Sequence, residues 1–342
     1  IALEKMSRVV KLDLSYYLTG GFWLTFSNIV SALFSLLLSI IFAHFTTQAF
    51  YGQYKFTLSI FSLFTIFALP GINTAIFHSV AKGNTGFLIK GTKEKIKWSL
   101  LSWPILFILG GYFILLKNDP LGWAFFIAAP LFPLVNGFAN NAYYMGKKRF
   151  KANSIIFVCQ SLISITMVAG AIFLLHNIVA VVIAVLLAQA FLNVVVFILI
   201  RQEIRDDKKQ DDKELLNYGK HLTTMRILSR VAKSLDHFLI ACFLGFQEVA
   251  IYTIAKVIPD TVKGFYKQIL PLTLPRFVAA GTSNTYIKLR AKLGQLLSIG
   301  GISTLALVIF LPFLIPLVYT PKYTDSVIPA EILAVSIFFS PL

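Results

Sequence analysis

Ten apolar runs separated by short loops constrain this 342-residue chain more than any other feature of it. They lie at roughly 17–44, 54–80, 98–116, 121–145, 154–175, 178–200, 222–245, 249–275, 293–318 and 327–342. About 17 to 25 apolar residues let a helix cross the hydrocarbon layer, where the backbone must satisfy its own hydrogen bonds. The chain therefore reads as an all-α polytopic membrane protein. With 57% hydrophobic and 13% charged residues, it lies outside the range of soluble domains.

The net charge of +16 would point to nucleic acid in a soluble protein. Here the basic residues alternate by loop, so topology accounts for most of the excess and no nucleic-acid partner is expected. One set of loops carries Lys5 to Lys11, Lys82 to Lys97, Lys147 to Lys151, Arg201 to Lys220 and Arg276 to Lys292, in all 22 lysines and arginines. The other set carries only Lys117 and Lys322. By the positive-inside rule the N-terminus is cytoplasmic. Residues 201–221 mix both signs of charge and cannot bury a core, so they read as a cytoplasmic linker. It divides a six-helix lobe, 1–200, from a second lobe, 222–342, of which four helices are covered. The chain begins at Ile1 and stops within an apolar run, as a piece of a longer protein would. Cys159 and Cys242, both inside runs and without metal or disulfide spacing, read as small apolar fillers.

A faint repeat supports two similar bundles. Gly52 and Tyr54 follow the first run as Ala250 and Tyr252 follow the seventh, at one offset of 198 residues. Duplicated halves are a common plan for transporters, with the substrate between them. Prolines inside several runs, among them Pro70, Pro130, Pro133, Pro259, Pro312 and Pro316, invite kinks suited to a protein that changes shape.

Seven of the 31 basic residues fall inside the runs, and six of those lie in the seventh and eighth. Arg226, Arg230, Lys233 and His237 are spaced four, three and four, as are Lys256, Asp260, Lys263 and Lys267, so each set stacks along one helix face. Tyr252 extends the second row by a turn. Six lipid-facing cations would cost on the order of 15 to 20 kcal/mol. They are expected to line a water-filled cavity that favours an anion such as a phosphate or pyrophosphate. For Arg226 and Lys267, near helix ends, snorkelling to the interface is the competing reading. Asp236 and Asp260 are either coupling sites for H+ or Na+ or neighbours that neutralise the bases one turn away. His237 is a titrating group or a hydrogen-bonding wall residue.

The first half is polar in a quieter way. Ser27, Ser31, Ser35 and Ser39 repeat every four residues, a spacing that usually serves close helix packing. Asn136 with Asn140, and Gln189 with Asn193, form pairs one turn apart that could meet sugar hydroxyls. No catalytic constellation, nucleotide-binding loop or metal-spaced set is recognisable, so neither an enzyme nor a cofactor is expected.

The sequence resembles the oligosaccharide repeat-unit flippases of the multidrug/oligosaccharidyl-lipid/polysaccharide (MOP) exporter superfamily. The residues that carry the resemblance are Tyr51-Gly52-Gln53-Tyr54, Ala68-Leu69-Pro70-Gly71-Ile72 with Ala81-Lys82-Gly83, Asp236 through Leu244-Gly245 to Val249-Ala250-Ile251-Tyr252, and Leu274-Pro275. The resemblance implies two lobes of twelve to fourteen helices in all, of which about ten are covered. It also implies a basic central cavity opening alternately to each leaflet of a bacterial or archaeal cytoplasmic membrane. A polyprenyl-pyrophosphate-linked oligosaccharide would be carried outward, with membrane lipids, a glycan polymerase and chain-length machinery as partners. Arg226, Arg230, Lys233, Lys256 and Lys263 fit that role. Cation and drug exporters of the superfamily would be expected to show an acidic cavity. A lipid II flippase shares the anionic-substrate logic, and a glycan polymerase or ligase would need a large external loop.

Overall fold

A computed structural model describes residues 14–204, 212–279 and 285–338, with side chains for 20–204, 212–264, 297–298 and 300–338. The helices are α1 (Leu14–Phe45), α2 (Gln48–Phe64), α3 (Gly71–Ala81), α4 (Phe87–Ser99), α5 (Ser102–Leu115), α6 (Asp119–Asn136) and α7 (Asn140–Gly146). They continue as α8 (Phe150–Leu175), α9 (Ile178–Glu203), α10 (Lys213–Phe243), α11 (Phe246–Ala279), α12 (Thr285–Tyr319) and α13 (Val327–Val335), with a 3₁₀ turn at Pro321–Ser326 before the last. No strand occurs among the described residues. Six stretches are long and apolar enough to cross a membrane: Gly20–Phe45, Phe87–Leu115, Asp119–Gly146, Phe150–Leu175, Ile178–Glu203 and Gly300–Tyr319. The protein is a multi-pass, all-α membrane protein.

Among the described residues each apolar run contains helix, and the breaks within the runs have physical causes. The run at 54–80 breaks between Phe64 and Gly71, where Pro70 denies a backbone donor and Leu69 takes a left-handed φ of 48°. The run at 121–145 breaks at Gly137–Ala139, four residues after Pro133. The span expected to start near 98 starts instead at Phe87, because lysine-rich α4 leads into α5. Helix also enters the charged linker from both sides. α9 reaches Glu203, and α10 starts where Asp212 Oδ1 accepts a hydrogen bond from Leu215 N at 2.9 Å. Such a cap contributes about 1 kcal/mol. Linker residues 205–211 lie outside the described residues.

The helices form two compact units. The larger takes Phe26–Phe34 and Ala49–Val249, and its core joins Ile72, Ala75, Ile76, Phe87, Leu88, Tyr143 and Ile200. A chain of ring contacts, Phe132–Phe61–Phe125–Phe113–Phe56–Phe246, extends that core, with centroids 5.4 to 6.4 Å apart. Two glycines let backbones approach within it. A Cβ on Gly52 would stand 1.7 Å from the Phe246 carbonyl oxygen, and one on Gly71 would stand 2.3 Å from that of Gly219. Ser31 and Ser161 share a hydrogen bond at 3.1 Å, in keeping with packing for the serine row.

The smaller unit takes the described parts of Ile1–Thr25, Ser35–Gln48 and Ala250–Leu342. Its core includes Leu311, Ile315, Tyr319, Tyr323, Ala330 and Ala334. Ser39 Oγ and Tyr319 Oη are 3.0 Å apart. Gln48 Nε2 donates to the Lys322 carbonyl at 2.6 Å while Lys322 Nζ donates to that of Thr46 at 2.8 Å, so the α1–α2 turn and the 3₁₀ turn clasp each other. Burial holds the Lys322 ammonium below its ordinary value and pushes the Tyr323 phenol up to about 12. The expected repeat is visible in helix boundaries. α1 and α10 end at Phe45 and Phe243, α2 and α11 begin at Gln48 and Phe246, and both pairs are 198 residues apart. Cys159 and Cys242 are exposed, not core fillers; the outer surface of a membrane protein is itself apolar and accepts them.

Candidate functional site

The larger unit holds the first basic row, on α10. Leu216, Gly219, Thr223 and Ser234 form the buried face of this helix, set against α2 and α3. Two hydroxyls fasten it. Thr223 Oγ1 accepts from Gly71 N at 3.0 Å, satisfying one of the N–H groups left without a partner at the start of α3, and Ser59 Oγ donates to the Ser234 carbonyl at 2.9 Å. Arg230 lies at the edge of that face, half-buried, and its Nη1 donates to Thr65 Oγ1 in the α2–α3 break at 3.0 Å. A guanidinium has five N–H donors, so four remain to offer an anion. Arg226 and Lys233 are exposed, and Asp236 and His237 are half-buried.

The smaller unit holds the second row, on α11. Tyr252, Lys256 and Lys263 are half-buried and Asp260 is exposed. Lys256 Nζ stands 5.4 Å from the Tyr252 ring centroid, a cation–π distance. Lys263 Nζ lies 3.7 Å from Asp260 Oδ1, so this acid does neutralise a base one turn away. The side chain of Lys267 lies outside the described residues.

The amides named as sugar contacts serve the second helix break in the larger unit. Asn140 Nδ2 donates to the Asn193 carbonyl at 2.8 Å, and Asn193 Nδ2 donates to that of Val135 at 2.9 Å, tying α9 to both sides of the break. Asn136 Nδ2 bonds back to the Phe132 carbonyl at 3.3 Å, and Gln189 is half-buried. Sequence reasoning missed Lys95. Counted there among loop cations, it is 2% exposed on α4, and its Nζ donates to Asn73 Oδ1 of α3 and to the Phe138 carbonyl inside the α6–α7 break, the latter at 3.2 Å. The signal was its stripe: Leu88, Thr92, Lys95 and Ser99 are spaced four, three and four, and all are buried.

Comparison with known proteins places this geometry. The model of a family described as "Polysaccharide biosynthesis protein" matches residues 17–280. The chain belongs to that family. Among solved structures, this polysaccharide biosynthesis family member is similar to a multidrug resistance MATE family transporter of the MOP superfamily in an outward-facing conformation. The TM-score is 0.56 at 16% identity, over 94% of this chain and 79% of the transporter's. At that identity the likeness establishes the fold. No curated protein matches the chain.

Proposed function

We propose that the protein is a flippase that carries polyprenyl-pyrophosphate-linked oligosaccharide units from the cytoplasmic to the outer leaflet of a bacterial or archaeal cytoplasmic membrane. The observation that carries the reading is the position of Arg230. It is a half-buried guanidinium within a membrane protein of a polysaccharide biosynthesis family, held by one neutral hydroxyl and otherwise able to grip a pyrophosphate with paired N–H groups. Lys233 and Arg226 extend that charge along α10, and Lys256 and Lys263 offer a second cationic row on α11. The fold is shared with a multidrug transporter, which keeps drug export as the second reading. Two acids against six bases within the runs 222–245 and 249–275 favour an anion.

The test is surface glycan display in cells lacking their own repeat-unit flippase, rescued by the full-length protein or by Arg230→Ala and Lys263→Ala variants at equal expression. Rescue by the parent with strong loss in Arg230→Ala is expected. Undiminished rescue by both variants would remove the pyrophosphate role from these residues, and failure of the parent would move drug export forward.

A further inference from the structure

The helix that hides Lys95 carries a second set of lysines on its outer side. α4 turns about 100° per residue, so Lys90, Lys93 and Lys97 fall within about 60° of one another. They lie opposite the buried stripe of Leu88, Thr92, Lys95 and Ser99. Lys93 and Lys97 are exposed and Lys90 is half-buried. Glu94 and Trp98, one turn apart, flank this row, and there α4 meets α10. Lys220 Nζ of α10 stands 5.7 Å from the Trp98 ring centroid and 3.9 Å from Glu94 Oε2. At 3.9 Å the ion pair is longer than a hydrogen bond, so Glu94 leaves the three donors of that ammonium on offer.

Trp98 also marks a boundary in composition. The stretch from Trp98 to Leu115 contains no charged side chain, whereas Lys90 to Lys97 contains four lysines and one glutamate. At helical rise the uncharged stretch is about 27 Å long, close to the thickness of the hydrocarbon layer, about 30 Å. That layer therefore begins at Trp98, whose ring is 39% exposed and stands at the level where tryptophans anchor membrane helices. Along the helix axis Lys97 and Lys93 lie about 2 Å and about 8 Å beyond it. The headgroup layer is about 5 to 8 Å deep, so both lysines fall within or beside it.

The row thus starts on an indole at the edge of the hydrocarbon and rises through the phosphate level with a surplus of positive charge. A ligand that fits both ends has an anionic headgroup and an apolar tail. We propose that the seam between α4 and α10 is a binding site for an anionic phospholipid of the more positive, cytoplasmic side. Lys93, Lys97 and Lys220 hold the phosphodiester, and the glycerol and upper acyl chains lie on Trp98. Because Lys220 belongs to α10, the bound lipid braces the end of the helix that carries Arg230. The site does not depend on what Arg230 binds.

The probe is phosphatidylglycerol with brominated acyl chains, which quench tryptophan fluorescence, compared with phosphatidylcholine carrying the same chains. The full-length protein keeps Trp98, with its other tryptophans, among them Trp23, Trp103 and Trp123, replaced by phenylalanine. Phospholipid retained by the unaltered protein through purification, identified by mass spectrometry, is the second measure and needs no tryptophan replacement. At low salt phosphatidylglycerol is expected to be preferred about tenfold, and Lys97→Gln to lower that preference about fivefold, the usual worth of one lysine near an anionic surface. Lys97→Arg, which keeps the charge, should retain it. So should Lys147→Gln with Lys148→Gln, which removes two exposed charges from the α7–α8 turn. Equal quenching by the two lipids in the parent would overturn the proposal, as would a preference that survives Lys93→Gln with Lys97→Gln. Equal loss in the Lys147 and Lys148 variant would reduce the effect to general surface charge and overturn it too. Displacement of phosphatidylglycerol by an equal mole fraction of a prenyl diphosphosugar would give the seam to that lipid instead.

Discussion

The basic rows of α10 and α11 share one spacing and differ in what holds them. On α10 the inward cation, Arg230, rests on a neutral hydroxyl at a helix break, with Arg226 and Lys233 exposed on either side. On α11 Lys263 faces the carboxylate of Asp260, and Lys256 lies over the Tyr252 ring. Charge-assisted contacts are roughly twice as strong as neutral ones, so an anion approaching Lys263 would compete with the Asp260 carboxylate, whereas one approaching Arg230 would compete with the Thr65 hydroxyl. Equal periodicity therefore does not make equal sites; the residue one turn away decides how much of each charge is on offer.

The comparison breaks most completely if α10 loses its seat. Gly71→Val would drive a side chain into the Gly219 and Thr223 backbone. Overpacking of about 1 to 3 kcal/mol is the ordinary cost where side chains can shift, and here backbone blocks the way. The fraction of protein eluting folded, and its melting temperature in detergent, should fall further than for any change in the α11 row. Next in size, Arg230→Ala should weaken a prenyl diphosphosugar by about one to two powers of ten in calorimetry, the value of a hydrogen-bonded charge, about 1.5 to 3 kcal/mol. Arg230→Lys should recover only part, because a point charge cannot form the paired fork. The smallest effect sharpens the contrast. Asp260→Asn should tighten binding about two- to fivefold at low salt by freeing Lys263, since so exposed a pair is worth about 0.2 to 1 kcal/mol, and added salt should erase the gain. An unchanged affinity in Asp260→Asn would mean that the two rows are held alike.

The helices, the 198-residue repeat and the two basic rows were legible in the chain because hydropathy and helical period are properties of single segments. The destinations of side chains were not. Asn140 and Asn193 read equally well as wall residues, and only the break at Gly137–Ala139 brings them to the Val135 and Asn193 carbonyls. Lys95 stands in Lys90-Gly91-Thr92-Lys93-Glu94-Lys95-Ile96-Lys97, which has the composition of a cytoplasmic loop. Its burial follows from α4 folding as helix and turning one lysine in four toward the α6–α7 break, a decision made by neighbours distant in sequence. The Pro70 and Pro133 kinks could be placed from sequence; that Thr223 would take up the Gly71 N–H and Lys95 the Phe138 carbonyl could not.

Gly52 has a counterpart in the second copy of the repeat, and that counterpart is Ala250, fully buried with its methyl group in place. The first copy must keep glycine there because the second copy begins on top of it, with the Phe246 carbonyl where a methyl would go. At this position the repeat is therefore not interchangeable: the earlier copy needs a bare backbone where the later one carries a methyl. A rearranged gene that presented the same two halves in the opposite order would encode all the same helices, yet it would put a methyl-bearing helix residue at the position where this chain leaves the backbone bare.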